Sequence, residues 1–177
     1  SIMNLGRYDP FKVIRRADAA DSLSFANIIV QAQSTWLEWC GDSFEPYELS
    51  KLTDQYTEIL RRDHTQAFML LDALDTPIAV AAAVPEFVSY EPSTLDTASA
   101  HLSALFTLPQ YHGTGVSQTL HNHTIDKLAA SGYKTVRLWV PREAGRSVCF
   151  YAKNLWEMTG ERTYFAGLER LEMRRAL

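Results

Sequence analysis

Two hydrophobic periods run along this chain. Between Gln66 and Ala73, and again from Ile78 to Tyr90, apolar residues are nearly continuous over strand-like lengths, and Asp75-Thr76-Pro77 separates the two runs. Proline presets the bend there, so the pair predicts a hairpin. Val136, Leu138 and Val140 alternate with polar residues, as in a strand with one buried face. A strand is also predicted at Phe11 to Arg16 behind a short tail ending at Pro10. Loop Glu91 to Asp96 leads to a strand over Thr97 to Leu108, and one or two closing strands fall within Arg162 to Arg174. Helices are predicted from the cap Asp18 to about Gln33 or Trp39, over about Glu45 to Arg62, from near Gly115 to a stop at Gly132, and through Phe150 to Asn154. No repeat, low-complexity segment or linker interrupts this series. Residues 11–177 are therefore read as a single domain behind a tail of residues 1–10.

Composition narrows the class. The chain has 177 residues, 46% hydrophobic and 21% charged, which suits an ordinary globular core. Its formal charge of −4 argues against a general nucleic-acid partner, because such surfaces carry excess lysine and arginine. No apolar run is long enough to span a bilayer and no basic-then-apolar leader is present, so no membrane partner is expected and a cytoplasmic location is the default. Two cysteines, Cys40 and Cys149, are too few for a disulfide framework, and Cys149 reads as a small helical hydrophobe.

The segment from Leu105 to Gly132 carries the chemistry. An apolar strand ends at Pro109 and passes through the small residues Gly113, Thr114, Gly115 and Ser117 into a helix. Amides free at the first helical turn, together with the helix dipole, suit a phosphate there without any lysine. The loop lacks the Gly-Lys-Ser/Thr ending of nucleotide triphosphatases. It also lacks the third glycine and the later acidic residue of the dinucleotide fingerprint. A tight turn that binds nothing is the plain alternative. His121 and His123, two apart on a helix, face opposite ways, so no metal site is expected.

At this loop, and again at Phe150-Tyr151-Ala152-Lys153-Asn154 followed by Glu157 to Glu161, the chain resembles the GNAT N-acetyltransferase superfamily. The loop pattern Q/R-x-x-G-x-G/A falls on His112 to Ser117, with His112 in the first position and Ser117 in the last. The resemblance covers roughly Leu102 to Glu161. It implies an α/β (α+β) GNAT fold: a mixed, mostly antiparallel sheet of about six or seven strands with about four helices, splayed between the fourth and fifth strands. It also implies acetyl-coenzyme A as co-substrate, passing its acetyl group directly to an amine. A non-catalytic acyl-coenzyme A sensor or interaction module is the alternative.

The resemblance implies roles residue by residue. The splayed strand, at Leu105, Phe106 and Thr107, would pair with the amide arm of the coenzyme, the Leu105 N–H polarising the thioester carbonyl. His112, Gly113, Thr114, Gly115, Val116 and Ser117 would hold the pyrophosphate. Tyr151 would lie beside the coenzyme sulfur and give the departing thiolate a proton; a core tyrosine on an amphipathic helix is the alternative. An amine of pKa about 10.4 is neutral in only about one molecule in 2,500 at pH 7, so a proton must be removed. His101 stands where some members carry a glutamate base, with Glu86 as rival and water as the third option. By the two-residue period, His101, Ser103, Leu105 and Thr107 should share one face.

For the acceptor the family uses the first two helices, here reading Trp36 to Glu48. Trp36, Trp39 and Glu38 make an aromatic, acidic rim that would favour a small cationic amine over a protein terminus or lysine. The same residues also read as core anchors and helix-start acids. A homodimer is admitted as the oligomeric state. Arg170, Arg174 and Arg175 alternate with apolar residues and read as a solvated strand face.

Overall fold

The computed structural model describes residues 11–40, 43–88 and 91–177, and the expected tail lies outside them. Seven strands form one open sheet: β1 (Phe11–Arg16), β2 (Gln66–Asp72), β3 (Pro77–Val88), β4 (Glu91–Thr107), β5 (Thr135–Pro141), β6 (Glu157–Phe165) and β7 (Leu168–Ala176). Their order is β1-β2-β3-β4-β5-β7-β6. All neighbours are antiparallel except β4 and β5. The parallel pair arises because a helix carries the chain back to the end at which β4 began.

The helices are α1 (Ser22–Gln33), α2 (Leu37–Cys40), α3 (Leu49–Arg61), α4 (Val116–Ala130) and α5 (Gly145–Lys153). α1 and α3 pack together, with Phe25 and Tyr56 stacked at 4.9 Å. Phe106 turns toward Trp36 beyond α1, whereas its neighbour Thr107 bonds Ser117 at the start of α4. Adjacent strand residues point to opposite faces, so α1 and α3 cover one face of β4 and α4 the other. One core cluster joins α1, α3 and the start of α4 to β2, β3 and β4. A second joins β5 and β7 to Ile125, Leu128 and Trp156, and Leu105 touches both.

Several boundaries differ from the sequence reading, for identifiable reasons. Asp18 does cap, but it caps a 3₁₀ turn at Ala19–Asp21 through a reciprocal bond with Asp21, so α1 begins only at Ser22. Another 3₁₀ turn, Ser34–Trp36, separates α1 from α2. Pro46 disfavours helical backbone at Glu45, and α3 starts at Leu49. β4 begins at Glu91 rather than Thr97, because pairing with β3 reaches back to Val88↔Glu91; inter-strand bonding overrode the polar loop composition. The end of the predicted strand Ile78 to Tyr90 lies outside the described residues.

The most consequential difference is a bulge. Ala82 pairs with Ala104 and Ala83 with Leu102, which leaves Ser103 as an extra residue in β4. A bulge resets the two-residue alternation. Consequently Phe106, not Leu105 or Thr107, shares the α1/α3 side with His101 and Ser103.

Candidate functional site

The sheet opens between β4 and β5. Pairing runs only from Ser99↔Thr135 to His101↔Arg137 among the described residues, although β4 continues to Thr107 and β5 to Pro141. Backbone groups on the β5 side of Leu105, Phe106 and Thr107 therefore face an opening rather than a partner strand. Register puts Pro141 of β5 opposite Arg170 of β7 on the far side of that opening.

At the top of β4 the chain enters the glycine loop. Gly113 and Gly115 have φ of +76° and +91°, and a Cβ at either would meet no atom within 4 Å. Gly115 is the N-cap of α4, and Thr119 N–H donates to its carbonyl at 3.0 Å. The amides of Val116, Ser117 and Gln118 therefore head the helix without intrahelical acceptors. His112, Thr114 and Gly115 are exposed, and Val116 is fully buried as the anchor. Thr107 and Ser117 hydroxyls lie 2.8 Å apart and tie strand to helix, so these two side chains are already engaged with one another. Space, positive φ and free amides together fit a pyrophosphate.

Tyr151 sits on α5 at the edge of the second core, its ring 5.4 Å from Phe150 and 5.5 Å from Trp156. Its hydroxyl makes no hydrogen bond to any described residue. Burial pushes its phenol well above the ordinary tyrosine range, so it stays protonated. Behind it, Trp156 Nε1 donates to His121 Nε2 at 3.0 Å, and His121 Nδ1 lies 3.0 Å from Asn122 Oδ1. His121 is thus a packed, neutral element of the core. Cys149, read as a small hydrophobe, is exposed, because it falls on the outer side of α5.

Both base candidates lie in one polar cluster across the sheet. Arg174 Nη1 and Nη2 each lie 3.1 Å from the Glu86 carboxylate, and Arg137 Nη1 lies 2.9 Å from it. Glu86 is 8% exposed, so its charge is held by two guanidinium groups rather than by water. Arg174 Nε also reaches Glu172 at 3.3 Å, and Thr159 donates to Glu172. Arg137 Nε donates to His101 Nδ1 at 3.2 Å. That bond places the imidazole proton on Nε2, and His101 lines the cavity beside it. Burial first, and the Arg137 charge second, lower its pKa to about 4. The expected solvated arginine face is thereby corrected. Arg174 belongs to this cluster, Arg170 lines the cavity, and Arg175 points the other way to the Asn154 carbonyl at 2.8 Å.

A cavity of about 380 Å³ lies over this cluster, between α1, α3 and the sheet. His101, Ser103, Phe106 and Trp139 form part of its floor, and Gln33, Tyr47 and Arg170 part of its wall. Among the described lining residues there is no carboxylate. The expected acidic rim is not found here: Glu38 is exposed on α2, while Trp36 packs on Trp39, Phe44 and Phe106 just behind the cavity. Trp39 lines a separate cavity of about 230 Å³ with Cys40 and Glu143. Gly41 and Asp42 lie outside the described residues. Sequence reading missed Arg137, Arg174, Arg170 and Gln33. For the first three the alternation of charge with apolar residues on β5 and β7 was visible, but no local signal says which charges meet.

A sheet that parts beside an amide-headed glycine loop defines an acyl-coenzyme A-binding acyltransferase fold. The acetyltransferase (GNAT) domain family is matched over residues 47–177, and the chain belongs to that family. Uncharacterized N-acetyltransferases of Mycobacterium bovis and Mycobacterium tuberculosis are 36% identical over 72 residues, which is 41% of this chain and 46% of each relative. The match thus spans about half the length of those curated relatives. The PaiA N-acetyltransferase of Thermoplasma acidophilum, solved in complex with coenzyme A, superposes with a TM-score of 0.68 at 16% identity, covering 93% of this chain and 98% of that one. The ribosomal-protein-S18-alanine N-acetyltransferase of Escherichia coli gives 0.66 at 15% identity, with 93% and 92% covered. At such identities the likeness is one of fold.

Proposed function

We propose that this chain is an N-acetyltransferase using acetyl-coenzyme A and a small-molecule amine. The carrying observation is the parting of β4 from β5 after His101, directly beside the glycine loop at the head of α4. Acetyl-coenzyme A, when bound, supplies an activated acetyl group on a thioester. In the His112 to Ser117 loop, the amides of Val116 and Ser117 at the head of α4 and the positive end of that helix face its pyrophosphate, while the His112 and Thr114 N–H groups are bonded to the Pro109 and Tyr111 carbonyls. The free edge of β4 at Leu105, Phe106 and Thr107 pairs with its amide arm, and the Leu105 N–H polarises the reacting carbonyl. Tyr151, neutral and without a hydrogen-bond partner among the described residues, donates its Oη proton to the departing sulfur.

Of the three routes for the amine proton, water is the one the geometry favours. His101 Nδ1 is occupied by Arg137, and the Glu86 carboxylate by Arg137 and Arg174. These residues instead form a fixed polar cluster, of which His101 lines the cavity. Acetyl-coenzyme A thiol release across a panel of small amines, with calorimetry of coenzyme A alone, tests the reading. Release that depends on an amine supports it. Coenzyme binding without turnover on any amine would favour the acyl-coenzyme A sensor.

A further inference from the structure

Three observations in the acceptor cavity bear on what it admits. Gln33, at the end of α1, lines the cavity and is only 3% exposed, yet its Oε1 accepts no hydrogen bond among the described residues. A buried amide oxygen left unpaired is destabilising, and an occupant with an N–H or O–H satisfies it. Arg170 presents the second feature. Its guanidinium lies 5.7 Å from the Trp36 ring and 5.1 Å from the Phe165 ring, and it donates to the Phe165 carbonyl and the Tyr47 hydroxyl at 3.4 Å. No carboxylate of a described residue pairs with it, in contrast to Arg174 on the same strand and Arg137 on β5. The third is the lining itself, in which aromatic rings alternate with neutral polar groups such as Gln55, Ser103 and Thr163 and no described residue is acidic.

A polycationic acceptor would meet Arg170 and find no counter-charge in such a cavity. An anion would gain a charge-assisted, bidentate partner that aromatic rings already hold in place. We propose that the cavity selects an amine bearing a carboxylate or similar anionic group, an amino-acid-like acceptor whose anion binds Arg170 and whose N–H or O–H donor binds Gln33 Oε1. This inference rests on the acetyltransferase reading and replaces the acidic-rim expectation for the acceptor.

The test uses matched pairs: L-phenylalanine with phenethylamine, L-leucine with isoamylamine and L-methionine with 3-(methylthio)propylamine, plus spermidine as polycation. Acetyl-coenzyme A thiol release gives kcat/KM, and calorimetry on the coenzyme A-saturated protein gives affinity apart from turnover. At least one amino acid is expected to exceed its decarboxylated partner tenfold or more in both. Arg170→Gln should abolish that ratio through KM, while Arg170→Lys, which keeps the charge, should retain part of it. Gln33→Leu should weaken the preferred acceptor without restoring the decarboxylated amine. Turnover of amines with no carboxylate preference, or a preference that survives Arg170→Gln, overturns this inference and leaves the acetyltransferase reading standing. Carboxylate-dependent binding that needs Arg170 but never leads to turnover does the reverse. Neither binding nor turnover for any member overturns both.

Discussion

Replacing Tyr151 with Phe removes one oxygen that no described residue bonds, so the ring contacts with Phe150 and Trp156 survive. Stability and coenzyme A affinity should stay close to the parent, while kcat falls on the order of 10²-fold, the scale of general acid catalysis. Normal turnover with a large loss of Tm would mark the hydroxyl as structural. His101 behaves differently. Its folded pKa of about 4 lies below the ordinary imidazole value of 6.5, so the unfolded chain binds the proton more readily. The stability due to neutral His101 is therefore complete above pH 6.5 and is lost as pH falls from 6.5 toward 4. A Tm–pH profile should drop across that window and flatten in His101→Asn, with His121 and His123, also lowered by burial, contributing to the remaining slope. With water as proton acceptor, His101→Ala and Glu86→Gln should each leave kcat within about tenfold of the parent, measured on folded protein. A 10²-fold loss in either would return the role of base to that residue.

At the scale of elements, the glycine loop and α4 form the proposed pyrophosphate site. Gly115 holds a φ of +91°, which costs a residue with a Cβ about 1 kcal/mol even though no atom lies within 4 Å. Gly115→Glu adds bulk and negative charge where amides would meet phosphate, so coenzyme A should bind at least tenfold more weakly, about 1.4 kcal/mol. Calorimetry showing unchanged affinity on a folded variant would remove the pyrophosphate from this loop. The loop was legible in the chain because glycine spacing and a helix start are local facts. The face of β4 was not. Reading His101, Ser103, Leu105 and Thr107 as one face assumed an unbroken alternation, and the unpaired Ser103 broke it. Such a bulge depends on how β3 and β4 register against each other, which no single strand encodes.

Across the whole molecule, the β6–β7 turn locks onto the segment leading to α3. Glu45 N–H donates to the Ala166 carbonyl at 3.1 Å, and a Cβ on Gly167 would lie 1.9 Å from the Ser43 carbonyl oxygen. Gly167 also has a φ of +78°. Gly167→Ala therefore faces both a backbone clash and strain, and should destabilise the protein by about 3 kcal/mol, well beyond the same change at Gly115. Denaturant unfolding of the two variants side by side checks the difference. Because this contact brings Phe165 and Arg170 against Tyr47 and Trp36, a loosened turn should also raise KM for the acceptor.

By itself the chain determined the order of its main strands and helices, the hairpin of β2 and β3, the glycine loop at the head of α4 and the placement of Tyr151 on a helix after β5. Each rests on short-range periodicity, turn chemistry or motif spacing. Tertiary structure decided which charges meet. Glu86, His101, Arg137 and Arg174 lie on four different strands, and only the sheet order and register bring them within hydrogen-bonding distance. The same holds for the acceptor cavity, where Gln33 closes α1 and Arg170 sits on β7, 137 positions later in the numbering. Local composition suggested an acidic rim. Packing puts Glu38, Glu45 and Glu48 at the surface and lines the cavity with Arg170, which no carboxylate of a described residue pairs, and with Gln33, whose Oε1 accepts no bond among the described residues, because burial depends on which elements cover one another rather than on which residues are neighbours in the chain.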